Sequence, residues 1–215
     1  MRPLFLFFFL AAPARALWWG AKAQSAWTEQ PVLVDGLSED WRGREPDDAE
    51  GVSFAFANDG QFLYVMFSAH TKEARDQMSG VYRQDLTLWV DPKAGTKRGV
   101  GMKVTDAGGG PRPIESLGLP DGAQLQVGPL ESRGIVEARI PLSFFGAPLP
   151  KTVSVGLEAS VKRVQAAPKR AHIIETDNPT ARNQHRADDA YDPAALEESR
   201  PISVWVRVTL ARPKS

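Results

Sequence analysis

Apolar residues alternate with polar ones, or run continuously, in short stretches along most of this chain, and Gly, Pro, Asn and Asp separate the stretches. β-Branched and aromatic residues dominate these runs, as is typical of β-strands. Helical periodicity is nearly absent, so the pattern predicts an all-β fold, one antiparallel sandwich of about nine strands with jelly-roll or immunoglobulin-like topology. The predicted strands are Val32–Val34, Val52–Ala57, Phe62–Ala69, Leu86–Val90, Val100–Val104, Leu125–Val127, Ile135–Ile140, Val153–Val161 and Ile202–Leu210.

Local signals predict how some of these strands are connected. The tripeptide Asn-Asp-Gly at 58–60 predicts a tight hairpin, because such turns need residues that tolerate positive φ. The strand after it is apolar on both faces, which indicates a central position. Thr71 to Met78 is predicted to form two helical turns with Thr71 as the cap. The Gly- and Pro-rich stretch from Gly108 to Pro120 is predicted to be a crossover that does not continue a sheet.

The N-terminus carries an apolar run, Leu4–Ala12, behind a basic residue. This run is shorter than the ~20 residues that span a bilayer but matches the core of a secretory signal. Small-x-small patterns follow at Ala14-Arg15-Ala16 and Ala21-Lys22-Ala23. The sequence therefore predicts a signal peptide within 1–23, cleaved after residue 16 or 23, and a β-sandwich domain over 27–212.

Composition narrows the class of protein further. Of the 215 residues 42% are hydrophobic, which is enough for a core, and none is cysteine, which excludes disulfide scaffolds, thiol nucleophiles and cysteine-ligated metals. The 26 basic and 26 acidic residues balance, so nucleic acid is not an expected partner. No span after residue 26 is apolar enough for a membrane, and an exported cysteine-free chain fits a bacterial periplasm or the exterior.

Familiar enzyme signatures are missing from this chain. It contains no G-x-S-x-G, no H-E-x-x-H, no phosphate-binding G-x-x-x-x-G-K-[ST], no G-x-G-x-x-G and no S-x-x-K. The sequence therefore predicts a protein that is not an enzyme, with no catalytic residues. A carboxylate pair for glycoside hydrolysis is the alternative, because that chemistry depends on spatial separation and not on spacing in the sequence.

Metal and haem sites have only weak candidates. A group of carboxylates follows the first predicted strand, and calcium takes several oxygen ligands; the alternative is a solvated acidic turn, and the spacing does not match an EF-hand. Haem needs Met and nitrogen ligands, but a core Met is the commoner explanation. We expect no bound metal and no cofactor, with calcium kept as an alternative and haem not expected. The carboxylates are Asp35, Glu39, Asp40, Asp47, Asp48 and Glu50, and the haem candidates are Met66, Met78, Met102, His70 and His172.

Five segments and the last strand follow one another in a recognisable order. They are VLVDGLSEDW (Val32–Trp41), VSFAFANDGQFLYVMF (Val52–Phe67), YRQDLTLWVDP (Tyr82–Pro92), GIVEARIPLSFFG (Gly134–Gly146) and YDP (Tyr191–Pro193), with the strand at 202–210. Together they resemble the family 9 carbohydrate-binding modules and the wider DOMON-like group of exported β-sandwiches, over roughly residues 30–210. This group includes sugar binders and haem-binding cytochrome domains, so the resemblance implies a fold before it implies a ligand.

The resemblance also implies a candidate site. In sugar-binding members two aromatic residues enclose the saccharide, and Tyr82 and Tyr191 occupy the matching positions, with Tyr where Trp is common. The alternative is that both tyrosines cover the ends of the sandwich. Trp89 alternates with apolar neighbours and is either a core residue or a platform on the sheet face. The candidate partners for the sugar hydroxyls are Arg83, Gln84 and Asp85.

The expected function is that of an exported, non-catalytic protein that binds a saccharide or cell-envelope glycan by aromatic stacking. Two alternatives belong to other classes: a haem-binding electron-transfer domain of DOMON type, and an envelope protein-interaction module without a small ligand.

Overall fold

A computed structural model describes residues 20–44, 46–78, 84–105, 114–128, 134–161 and 201–213. These residues form a sandwich of two β-sheets with one short helix, α1 (Lys72–Met78), and 3-10 turns at Glu39–Trp41 and Leu142–Phe145. The strands are β1 (Ala21–Gln24), β2 (Ala26–Trp27), β3 (Asp47–Ala49), β4 (Val52–Asn58), β5 (Phe62–Ala69), β6 (Gln84–Asp91), β7 (Gly101–Thr105), β8 (Ile114–Leu117), β9 (Gln124–Val127), β10 (Ile135–Pro141), β11 (Thr152–Val161) and β12 (Ile202–Thr209). Among the described residues, no helix is long and apolar enough to cross a membrane.

The two sheets have simple strand orders. Sheet A runs β1-β12-β11-β6-β7-β8, and sheet B runs β2-β4-β5-β10-β9, with β3 added beside β4. Most neighbouring strands are antiparallel, while β1 pairs with β12 and β2 pairs with β4 in parallel. The predicted all-β sandwich is confirmed, with two parallel pairs that the pattern did not indicate.

The core lies between the inner faces of the two sheets. Along β6 the residues Leu86, Leu88 and Val90 alternate into this core and are at most 3% exposed. The matching positions of β11 and β12 are valine, leucine, isoleucine and alanine. Because side chains of a strand alternate between its faces, the outer face of sheet A is left to the residues in between, which are polar, glycine or tryptophan.

Strand β5 is central in sheet B, as predicted, because β4 and β10 pair with its two edges. Its outward side chains Tyr64 and Met66 pack in a second apolar cluster with Val32 and Trp41 from the chain that precedes β3. Both faces of β5 are therefore covered, which explains why both are apolar.

A buried carboxylate fastens that covering chain to sheet B. Glu137 of β10 is 1% exposed, and its Oε2 accepts hydrogen bonds from the N–H groups of Asp35 (3.1 Å) and Gly36 (2.7 Å). Its Oε1 accepts one from Nε1 of Trp41 at 2.6 Å. Burial raises the pKa of Glu137, although the three donors oppose the shift. Glu137 thus adds three hydrogen bonds to the packing of Trp41 that holds residues 35–41 on the sheet.

Most of the predicted elements are confirmed, with strand ends displaced by at most two residues. The hairpin at 58–60 forms, and Oδ1 of Asp59 accepts hydrogen bonds from the N–H groups of Gln61 and Phe62. The helix α1 begins as predicted, since Oγ1 of Thr71 accepts from the N–H of Ala74 at 3.2 Å.

Two predictions about strands are wrong. Val32–Val34 is not a strand, because Val32 serves as a single buried contact on the outer cluster while its neighbour Leu33 is 63% exposed. The stretch from Gly108 to Pro120 does contain a strand, β8, which pairs with β7 at the edge of sheet A. An edge strand is bonded on one side only, so it tolerates nearby proline and glycine.

Candidate functional site

The residues predicted to bind a ligand fall into two groups. Asp85 and Trp89 are described, and Gln84 is the first residue of β6, where it pairs with Val161. Tyr82, Arg83 and Tyr191 lie outside the described residues.

Strand β6 places the described residues of the predicted site on one surface. Asp85, Thr87 and Trp89 alternate with the core residues of this strand, so they share the outer face of sheet A. Trp89 is partly exposed there. Trp89 therefore lies on the outer face of sheet A and not in the core between the sheets.

A second tryptophan lies in the same cross-strand row as Trp89. Gly156 of β11 pairs with Trp89 of β6 on one side and with Trp205 of β12 on the other. The indole of Trp205 lies against Gly156, where an added Cβ would be only 2.6 Å from its Cε2 atom. Trp205 is 8% exposed. The packing of Trp205 in this cross-strand row therefore requires a residue without a side chain at position 156, between the two tryptophans.

Glu158 of β11 fixes the orientation of the Trp89 indole. Its Oε2 accepts a hydrogen bond from Nε1 of Trp89 at 2.8 Å. Its Oε1 pairs with Nε of Arg98 and accepts a longer hydrogen bond, 3.4 Å, from Oγ of Ser203. The side chain of Glu158 is 26% exposed and that of Arg98 is 59% exposed. We call Trp89, Glu158, Arg98, Ser203 and Trp205 the outer platform.

Arg98 reaches this platform because Asp91 shapes the loop that carries it. Asp91 ends β6 and is 6% exposed. Its Oδ1 accepts from the N–H of Lys93 and its Oδ2 from the N–H of Lys97. The loop passes so close that a Cβ on Gly95 would lie 2.7 Å from Oδ2 of Asp91. The buried carboxylate of Asp91 thus holds the loop in a conformation that places Arg98 on the outer face of sheet A.

A polar row continues from the outer platform toward the start of β6. Thr87 pairs with Glu158 on one side and Lys103 on the other. Nζ of Lys103 lies 3.9 Å from Oδ2 of Asp85, and both side chains are partly exposed. A pair of this kind contributes about 0–1 kcal/mol to stability. Moving the side chains of Lys103 and Asp85 to contact a ligand therefore costs little free energy.

Residues 79–83, 106–113 and 162–200 lie outside the described residues, and each segment adjoins a described residue at this end of sheet A. Val161, which precedes residues 162–200, pairs with Gln84, which follows residues 79–83. Thr105, which precedes residues 106–113, pairs with Asp85. Ile202 pairs with Ala159 beside them. The chain that carries Tyr82 and the chain that carries Tyr191 are thus attached to neighbouring strands, at the end where Asp85 lies.

The candidate calcium ligands make local contacts instead of converging. Asp35 Oδ1 accepts from the N–H of Leu37 and Asp40 Oδ2 from the N–H of Leu33, while Asp48 pairs with Ser53. In the part of the chain that the structure describes, no group of three or more His, Asp or Glu side chains is placed to hold a metal ion.

The described haem candidates occupy ordinary positions. Met78 and Met102 are buried in the main core and Met66 in the outer cluster of sheet B. His70 is a surface residue whose Nδ1 lies 3.1 Å from Oγ of Ser53 and 3.6 Å from Oδ1 of Asp48. His172 lies outside the described residues.

Sequence reasoning did not identify Glu158, Arg98 or Trp205 as members of a site. The alternation in β11 does put Glu158 on the polar face of its strand. Nothing in the sequence, however, specifies that β11 lies between β6 and β12, and this order brings the three residues together.

Comparison with known proteins found solved structures that are similar to this chain. No family model and no curated protein match this chain. A carbohydrate binding module family 9 (CBM9) from Caldicellulosiruptor kristjanssonii in complex with cellotriose is 10% identical, covers 90% of this chain and 95% of its own, and has a TM-score of 0.47. A carbohydrate binding module family 9 (CBM9) from Caldicellulosiruptor kristjanssonii in complex with glucose is 12% identical, covers 90% of this chain and 98% of its own, and has a TM-score of 0.42.

Proposed function

We propose that this protein is an exported, non-catalytic carbohydrate-binding protein, and that its site runs along the outer face of sheet A from the outer platform to Asp85. Tyr82 and Tyr191 are the proposed stacking residues. The proposed ligand is a saccharide or a cell-envelope glycan.

The observation that carries this proposal is the setting of Trp89. A pyranose ring has an apolar face of C–H groups that packs on an aromatic ring, and its hydroxyl groups need polar partners at the edge. Trp89 is a partly exposed aromatic ring held by Glu158, with the guanidinium of Arg98 and the hydroxyl of Ser203 on the same carboxylate. A ring held in place loses little conformational entropy when a ligand binds.

The length of this surface favours a ligand larger than one sugar ring. Trp89 and Asp85 share a face but are four residues apart along β6 (89 − 85 = 4). At 3.3–3.4 Å per residue their Cα atoms are separated by about 13 Å. A ligand that contacts both is therefore an oligosaccharide, and we propose that affinity rises from a monosaccharide to a trisaccharide.

The test is a glycan array on the purified protein in the presence of calcium, followed by calorimetric titration of the best oligosaccharide. Trp89→Ala is expected to weaken binding at least tenfold, and Tyr82→Ala and Tyr191→Ala are expected to weaken it as well. Trp27→Ala is the matched control, because Trp27 is also partly exposed but lies in β2 of sheet B.

Several outcomes would contradict the proposal. Equal affinity of the Trp89→Ala and Trp27→Ala variants would show that the outer platform is not part of the binding site. A broad array without any hit would overturn carbohydrate binding itself. A Soret band in the absorption spectrum of the same sample would show that the protein binds haem.

A further inference from the structure

We propose that the signal peptide is removed by hydrolysis of the peptide bond between Ala16 and Leu17, and not at the second small-x-small pattern after Ala23. The inference rests on the proposed export of the protein. It is carried by strand β1, which the second cleavage would destroy.

Strand β1 is an integral part of sheet A. Its residues Ala21–Gln24 pair in parallel with Val206, Arg207, Val208 and Thr209 of β12. Ala21 and Ala23 pack against the main core. The N–H of Ser25 donates to the carbonyl oxygen of Thr209 at 3.0 Å, which extends the pairing by one residue.

The residue ahead of β1 is also closely packed. A Cβ added to Gly20 would lie 2.7 Å from the carbonyl oxygen of Trp205, so the backbone of Gly20 lies directly against β12. Trp205 belongs to the outer platform. The contacts of the chain with sheet A therefore begin no later than residue 20, four residues before the end of β1 (24 − 20 = 4).

Cleavage after Ala23 would remove Ala21, Lys22 and Ala23 and leave only Gln24 of this strand, with a charged amino group on it. The edge of β12 would then be open along Val206 and Val208, and an unpaired apolar edge is a template for aggregation. Ala23 and Gln24 also line a half-open pocket of about 390 Å³ together with Phe54 and Phe56, so loss of Ala23 would remove part of its wall.

Cleavage after Ala16 preserves all of these contacts. The pattern Ala14-Arg15-Ala16 supplies the small residues that a signal peptidase requires at the first and third positions before the bond. Water is consumed, Ala16 gains a carboxylate and Leu17 gains a free amine. The mature chain then begins with Leu17-Trp18-Trp19.

N-terminal sequencing and intact mass of the 215-residue chain, expressed in a bacterial host and recovered from its periplasm, test this inference. We expect a start at Leu17. A start at Gln24, seven residues later (24 − 17 = 7), would overturn the proposal. An unprocessed chain that stays in the cytoplasm would overturn both the cleavage and the proposed export, whereas glycan titration of that same chain would still test sugar binding.

Two variants outside the described residues sharpen the test. Ala16→Leu places a large side chain next to the proposed bond, and we expect the precursor to accumulate. Arg15→Leu is the matched control, because the middle position of the pattern accepts any residue, and it is expected to be processed normally. Ala16→Leu protein that is processed to the same N-terminus as the wild type would contradict the inference.

Discussion

Removal of the buried carboxylate of Glu137 should expose how strongly the chain at 35–41 depends on it. In Glu137→Ala the N–H groups of Asp35 and Gly36 and the indole N–H of Trp41 all lose their acceptor in the outer cluster of sheet B. A buried donor without an acceptor costs about 1–3 kcal/mol. The donors of Gly36 and Trp41 are buried whereas Asp35 is exposed to water, so the expected loss is at least about 2 kcal/mol, a substantial part of the ~5–15 kcal/mol that stabilises a typical domain.

Urea denaturation, followed by tryptophan fluorescence and by circular dichroism, measures this loss. Glu137→Gln keeps one carbonyl oxygen as an acceptor but turns an amide donor toward the remaining donors, so we expect a loss between those of the wild type and the alanine variant. Glu115→Ala is the matched control, because Glu115 is exposed on the edge strand β8, and its effect is expected to stay within about 0.5 kcal/mol. A loss below about 1 kcal/mol in Glu137→Ala would refute the reasoning.

Two further predictions concern the hairpin and the tryptophan row. Burial alone would raise the pKa of Asp59, but hydrogen bonds from the N–H groups of Phe62 and Gln61 and from the Tyr64 hydroxyl hold this pKa below its ordinary value. The charged form therefore stabilises the fold above the unfolded pKa of about 3.9, and this stability is lost as pH falls through the folded pKa. Urea midpoints at about pH 5 and pH 2 should fall further in the wild type than in Asp59→Asn, and equal falls would contradict this. Gly156→Ala places a methyl group 2.6 Å from the Trp205 ring and should cost about 1–3 kcal/mol and shift tryptophan fluorescence, whereas an unchanged midpoint and spectrum would count against the packed row.

The elements that the sequence predicted well are those with strong local signals. The long strands of β-branched and aromatic residues form where the pattern puts them, and the Asp59 turn and the Thr71 cap act through contacts within a few residues. The short strands β1, β2 and β3 escaped prediction because they contain mainly alanine and polar residues. They become strands because they pair with β12 and β4, so their conformation depends on residues outside their own segments.

The candidate site shows the same difference between local signals, which the sequence reveals, and long-range contacts, which it does not. Alternation in β6 and β11 is sufficient to put Trp89 and Glu158 on polar strand faces, but their hydrogen bond joins residues that are 69 positions apart. The bond between Glu137 and Trp41 joins residues 96 positions apart. Such pairs depend on the order of strands in a sheet, which hydrophobic periodicity does not encode. The sequence therefore singled out Trp89 as a candidate site residue but did not predict its partners or the cluster around Glu137.

The most direct test of the central claim is calorimetric titration of an oligosaccharide hit into the wild type, Trp89→Ala and Trp27→Ala proteins side by side. We expect saturable binding to the wild type and to Trp27→Ala, with affinity reduced at least tenfold in Trp89→Ala. Equal binding by all three proteins, or no binding of any glycan to the wild type, would contradict it.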